Sequence, residues 1–209
     1  FQVIREAFET IGYKVFYKVL NSKDFGVAQN RPRIFLVCFR NDIAPENFEF
    51  PIGTVNTKTL KDILEDAPIP SKYYLSDTYV QNLRNQKARH EAKCHGFGYV
   101  IRDLDGISGT LVCGGMGREG NLIIDHRPHS LIPTTHIKGN INSEDIRKLT
   151  PREWARLQGF PDTWQFFGKK TAAYRQIGNA FPPPVAYAVA QQIKHCLQSS
   201  NHIFAMGGI

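Results

Sequence analysis

Two arginines stand one residue apart in Gln29-Asn30-Arg31-Pro32-Arg33, at the start of a run with strand character. Held at a strand end, such a pair can aim one guanidinium at a phosphate and the other at a polarised carbonyl oxygen. Arginines at strand ends also serve as plain surface ion pairs. A second cluster, Arg147, Lys148, Arg152 and Arg156, puts four cations within ten residues, close to Trp154 and Trp164. A structural helix needs a cap and an apolar face but not four cations, so this stretch is either a solvated basic face or a polyanion contact. A third cluster, Gly178-Asn179-Ala180-Phe181 followed by Pro182, Pro183 and Pro184, joins a permissive turn to a polar amide and a proline-stiffened helix start. A simple interhelical turn explains the prolines and leaves Asn179 without a reason.

Periodicity supplies the elements that must position these groups. Phe1, Ile4, Phe8 and Ile11 share a face at helical spacing, and Gly12 closes that helix. The stretch from Tyr13 to Leu20 reads as a strand, and the apolar run from Ile34 to Phe39 as a strand buried on both faces. Pro45, Pro51, Pro68 and Pro70 mark a boundary and linker, with one short helical piece from Thr59 to Leu64. Ser76-Asp77 precedes a polar helix from Thr78 to about Lys93. Glycines then separate β-like pieces from Tyr99 to Ile101, Thr110 to Val112 and Leu122 to Ile124, as expected of a small, loop-rich β domain. Thr150, Pro151 and Glu153 spell a capping box for a short helix that Gly159 ends. A further helix is expected from Ala172 to Ile177, capped by Thr171 and ended by Gly178. Pro184 starts the last one, where Val185, Val189, Ile193 and Cys196 form an apolar stripe. Residues 199–209 read as a frayed tail.

With 209 residues, 42% of them hydrophobic, the chain can bury one large core or two small ones. A net charge of +7 favours a polyanion partner. No apolar run approaches the roughly 20 residues that span a bilayer, so no membrane role is expected. Cys38, Cys94, Cys113 and Cys196 are widely spaced, which suggests reduced thiols in a cytoplasmic protein. His90, Cys94, His95 and Cys113 match no standard zinc spacing, so no metal site is expected. The chain opens on Phe1 inside a helical pattern, as would the middle of a longer protein or one piece of a divided one.

Taken together, AQNRPRIFLV, RKLTPREWARLQGFPDTW and QIGNAFPPPVA resemble, in order and spacing, the eighth, ninth and tenth conserved blocks of bacterial DNA cytosine-5 methyltransferases of the restriction-modification type. The resemblance covers the chain to about Gln198 and corresponds to the C-terminal half of such an enzyme. It implies an α/β fold: part of a Rossmann-like catalytic domain with an inserted, loop-rich target-recognition domain. Residues 1–50 would belong to the catalytic domain and 51–146 to the recognition domain. Residues 147–198 would brace the recognition domain and return to the catalytic one, ahead of the 199–209 tail.

The family flips a cytosine out of double-stranded DNA, adds a cysteine thiolate at C6 and methylates C5 from S-adenosylmethionine. By this resemblance Arg33 would reach the cytosine at its O2 edge, with Arg31 and Gln29 in support. Gly178, Asn179 and Ala180 would line the S-adenosylmethionine pocket, completed only by a missing N-terminal half or a companion subunit. Arg147, Lys148 and Arg152 would be shared between domain packing and DNA phosphates. Two loops of the insert would read the sequence, one through His95, Phe97, Gly98 and Tyr99, the other through Gly114, Gly115, Gly117 and Arg118. Glycines let the backbone approach base edges, Arg118 could take a guanine bidentately, and Phe97 could wedge into the stack; ordinary turn glycines beside a surface arginine would look the same.

The family nucleophile is a Cys preceded by Pro, whereas the four cysteines here follow Val37, Lys93, Val112 and His195. The glycine-rich cofactor loop and the Glu-Asn-Val block are likewise absent. The chain is therefore expected to be inactive alone. A non-catalytic, sequence-specific DNA-binding module derived from such an enzyme is the competing expectation.

Overall fold

The computed structural model describes residues 1–55, 58–66, 68–96, 98–113, 117–127 and 139–206, with side chains to 198. Helix α1 (Gln2–Thr10) ends at Gly12, whose φ of +88° lets the chain reverse into strand β1 (Tyr13–Asn21). β1 pairs antiparallel with β2 (Pro32–Arg40), setting Tyr13 opposite Arg40 and Asn21 opposite Pro32. Asn21 closes the connection: its Oδ1 accepts from the Arg31 amide and its Nδ2 donates to Asn30.

The long helix α5 (Pro183–Met206) covers one face of this pair, where Leu20, Val37 and Phe39 bury against Val185 and Val189. The stripe read from the sequence is thus the packing face. The expectation that β2 is buried on both faces fails. Ile34 is 48% exposed, because the sheet has only two strands among the described residues and α5 covers alternate side chains. Helix α1 buries none of its residues. α5 also continues to Met206 through the expected frayed tail; nothing from His195 to Met206 is a glycine or proline that would stop it.

A second antiparallel pair joins β3 (Leu122–Ile124) to β4 (Ile146–Lys148). Helix α2 (Asp77–Glu91) packs Val80 and Leu83 against Leu75, Leu122 and Ile146, and the Ser76 hydroxyl accepts from the Tyr79 amide as its N-cap. The piece from Tyr99 to Ile101 makes only a single bridge, Ile101 to Leu122, and the piece from Thr110 to Val112 is no strand. The side chains of Gln29 and Arg31 occupy its backbone at Leu111 instead.

Helix α3 (Pro151–Leu157) carries the complete capping box: Thr150 Oγ1 accepts from the Glu153 amide and Glu153 accepts from the Thr150 amide. Helix α4 (Lys170–Asn179) begins before the expected Thr171 cap and runs through Gly178. Gly178 lacks a positive φ, so it does not terminate the helix; its missing side chain admits Cys113 and Trp154 instead.

The central core gathers Ala28, Leu60, Ile63, Leu111, Ile123, Leu149, Trp154, Leu157, Tyr174 and Ile177. These come from all three expected segments, so segments 1–50, 51–146 and 147–198 share a core. Among the described residues no helix is long and apolar enough to cross a membrane.

Candidate functional site

Gln29 is fully buried at the point where β2, the stretch 108–113 and α3 meet. Its Nε2 donates to Gln158 Oε1 (3.0 Å) and Leu157 O (3.3 Å), while its Oε1 accepts from the Leu111 amide (3.0 Å). Arg31, also buried, donates from Nη1 to Leu111 O (3.1 Å) and from Nη2 to Gly178 O (3.0 Å) and Ala180 O (3.3 Å). Gln158 completes the web by donating to Ile177 O (2.8 Å) and Ala180 O (3.3 Å). Burial, and then the charge of Arg33, lowers the pKa of Arg31. The stretch 108–113 is therefore a strap clipped to the sheet: Ser108 N donates to Ala28 O, Asn30 N to Ser108 O, and Thr110 Oγ1 to Asn30 O.

Arg33 is different. It is only partly buried, and its one hydrogen bond among the described residues is local, from Nη1 to Pro32 O at 2.7 Å. Its remaining nitrogens are free to meet a carbonyl or phosphate oxygen beside the strap. The first cluster thus divides into two interior braces and one outward-facing cation.

The corner after α4 also divides. Gly178 is buried beneath Cys113, and the carbonyls of Gly178 and Ala180 are held by Arg31. Asn179 is exposed; its Oδ1 accepts from the Cys113 thiol at 3.0 Å and its amide nitrogen has no partner among the described residues. Of the three residues expected at a cofactor, Asn179 alone turns a polar group outward. Its free N–H donors suit a carboxylate or hydroxyl oxygen such as S-adenosylmethionine carries. Sequence reasoning assigns Cys113 no role. Its position two residues beyond the Gln29-held Leu111 gives it this contact, and no local pattern shows that.

Arg147 is withdrawn from the expected DNA contacts. It is fully buried, with Nε on Asp125 Oδ2 (2.7 Å) and Nη1 and Nη2 on the two carboxylate oxygens of Glu153 (2.7 Å each). No nitrogen is left for a phosphate. Burial would raise the Asp125 pKa, but hydrogen bonds from Arg127 and Arg147 overcome it and hold this carboxyl well below the usual range. Lys148 is 20% exposed and pairs with buried Glu119 at 2.6 Å. Arg152 lies against Phe166 and donates to Trp164 O, and Arg156 pairs with Asp162 while donating to Leu64 O. The basic stretch is mostly internal bracing.

Of the expected reading loops, Phe97, Gly114 and Gly115 lie outside the described residues. His95 is exposed just beyond α2. Tyr99 is not free to read bases: it packs on the cluster under α2, with Lys87 Nζ 5.2 Å from its ring centre. Gly98 lies against the Lys87 stem, and the Gly117 backbone passes the Val112 carbonyl too closely for any side chain. Arg118 is partly buried and stacks over Tyr174, its Cζ 5.4 Å from the ring centre.

A family model described as "C-5 cytosine-specific DNA methylase" matches residues 1–195. The chain is 48% identical over 186 residues to the type II methyltransferase M.HpaII of Haemophilus parainfluenzae, covering 88% of this chain and 52% of that protein. It is 36% identical over 198 residues to M.NlaX of Neisseria lactamica, covering 95% and 58%. It therefore spans about half the length of the curated relatives it matches. Among solved structures, the Dnmt2 methyltransferase of S. pombe superposes with a TM-score of 0.65 at 17% identity, over 96% of this chain and 62% of that one. The Entamoeba histolytica methyltransferase EhMeth gives 0.62 at 18%, over 94% and 57%. These structural likenesses support the methyltransferase fold.

Proposed function

Because the chain belongs to the C-5 cytosine-specific DNA methylase family, we propose that it supplies DNA recognition and part of the cytosine and cofactor sites of a restriction-modification methyltransferase. The observation that carries this reading is the single buried web in which Gln29 and Arg31 join the strap 108–113 to the 178–180 corner. It ties an outward cation, a candidate recognition segment and an exposed amide to one rigid centre, as a site that must position DNA against a cofactor requires.

Within this proposal Arg33 donates to the O2 edge of a flipped cytosine and stabilises negative charge developing on the ring. Asn179 holds a polar end of S-adenosylmethionine, which when bound supplies the methyl group. The nucleophile comes from outside this chain, since none of the four cysteines follows a proline. The recognition role of residues 51–146 rests on the family resemblance and on the strap that joins them to the sheet. The free edge of β2 supports a contribution from further strands. A cleft of about 590 Å³ runs along it, lined by Leu36, Cys38, Ile43, Val189 and Ile193 among others. A bacterial cytoplasmic location is part of the same proposal and rests on the family resemblance alone.

The test mixes this chain with the N-terminal portion of a relative such as M.HpaII and measures labelled methyl transfer to duplex DNA. Transfer is expected from the mixture and not from either part. A chain that binds DNA yet supports no transfer with any such portion is a DNA-binding module instead. In an active mixture, Arg33→Ala is expected to cut turnover about 100-fold or more with little change in DNA affinity; equal losses would assign Arg33 to phosphate.

A further inference from the structure

Three cations from three separate elements converge on two buried tyrosine rings, and among the described residues none of them has a carboxylate partner. Lys72 follows the linker in a short 3-10 turn (Ser71–Tyr73), and its Nζ lies 5.5 Å from the Tyr73 ring centre. Lys170, at the start of α4, brings its Nζ to 3.6 Å from the same ring. Tyr174 sits four residues after Lys170, on the same face of α4, and carries Arg118 at 5.4 Å. Tyr73 and Tyr174 are 8% and 3% exposed, so the rings form a fixed floor while Lys72 and Lys170 stay exposed above it.

The neighbouring charges do not neutralise this group. Glu119 is taken by Lys148 and Tyr79. Glu65 and Glu153, whose charges are felt at Tyr73, are turned to Thr150 and Arg147. Partial burial, with the charges of Lys72, Arg118 and Lys148, lowers the Lys170 pKa to about 8. Aromatic faces hold the three cations but supply no net negative charge. An arrangement that concentrates like charge on a rigid floor is stabilised by an anion.

We propose that Lys72, Arg118 and Lys170 form a phosphate cradle that grips the phosphodiester backbone of duplex DNA beside the recognised sequence. The proposal rests on the DNA-binding reading above and reassigns Arg118 from base reading to backbone holding. The elements are placed for backbone holding, since Arg118 leaves the end of a glycine-rich recognition segment while Lys72 and Lys170 come from its packed surroundings. A phosphate held there fixes that segment's register on the duplex without itself reading a base.

The experiment measures binding of labelled duplexes to the 209-residue chain by fluorescence anisotropy over a range of salt concentrations. The triple substitution Lys72→Ala, Arg118→Ala, Lys170→Ala is expected to weaken binding at least about tenfold at low salt. It should reduce the slope of log K against log salt by about 2–3, near 0.9 per lost phosphate contact. The loss is expected to be the same for every duplex sequence; a loss confined to one base pair would return Arg118 to base reading and overturn the cradle. Lys170→Arg should keep the slope, and matched thermal melts establish that the variants fold. A control that removes Lys61, Arg89 and Lys93, exposed cations elsewhere, should leave most of the slope intact; an equal loss would show only diffuse charge. If the original chain binds no duplex, both the cradle and the DNA-binding reading fall. If it binds duplex and the triple variant binds equally well, the cradle alone falls. Inorganic phosphate serves as a second probe: protection of Lys170 by phosphate, with duplex binding unchanged in the variants, would make this a small-anion site and overturn the proposal.

Discussion

The Arg147 guanidinium has Asp125 on one side and Glu153 on the other, and all three groups are closed to solvent. Removing the cation leaves the buried Glu153 carboxylate without a cation and Asp125 with Arg127 alone, a defect worth about 3–5 kcal/mol. Arg147→Ala is therefore expected to lower the stability read from urea melts by that amount, whereas Arg156→Ala, whose Asp162 partner is 56% exposed, should cost under about 1 kcal/mol. The same cluster sets the acid limit. Unfolded, Asp125 titrates near 4; folded, its carboxyl stays ionised well below that. Between those values the unfolded chain binds more protons, so the Asp125 contribution is complete above about pH 4 and is lost as the pH falls further. Urea midpoints between pH 7 and pH 3 should show this decline, and a flat profile would argue against the pairing. The sequence displays the cations of this stretch but not their partners: Asp125 is 22 residues away, and helix periodicity says nothing about it. The interior partners that make Gln29 and Arg31 braces are equally hidden in the sequence, and the Cys113 contact with Asn179 spans 66 residues.

Helix α3 shows what local sequence does specify. Its cap, first-turn proline and third-position glutamate lie within four residues and need no distant partner to be recognised. Thr150→Ala should cost about 0.5–2 kcal/mol of stability through the lost cap. Its end is set differently. Gly159 has a φ of +83°, and a Cβ there would meet the Pro184 ring at 2.8 Å. Gly159→Ala combines a left-handed backbone with a steric clash against the start of α5, so a loss of about 1–3 kcal/mol in thermal or urea melts is expected. A neutral outcome would mean that α5 yields easily at Pro184. The ends of α4 and the existence of β4 escaped the sequence because both depend on tertiary partners. Three residues cannot display a period of two, and β4 is defined by its pairing with β3 and not by its composition.

At the scale of the whole molecule, the described residues hold two main apolar centres besides the cluster under α2. One is the shared core around Trp154 and Ile177; the other lies between α5 and the β1–β2 pair, whose far face meets only the exposed helix α1 among the described residues, through Phe1 on Tyr17 and Phe8 on Tyr13. Local opening should follow that difference. Hydrogen exchange is expected to be slowest at α3 and α4 amides and fast at those β2 amides that point away from β1; uniform protection across β2 would show that its free edge is covered in solution. The α/β character was legible, because helices and strands announce themselves locally. The shared core was not, since it is assembled from segments more than 100 residues apart, such as Ala28 and Tyr174. The strap carries one more implication. Its last residue, Cys113, is held to Asn179, and the chain is fixed again at Glu119, which bonds to Lys148 and Tyr79. Within the short span between those anchors, Gly117 admits no side chain beside the Val112 carbonyl and Arg118 lies over Tyr174. On the proposed recognition role, differences in target sequence between relatives are expected to concentrate in this short span, and exchanging it between relatives and assaying DNA preference checks that.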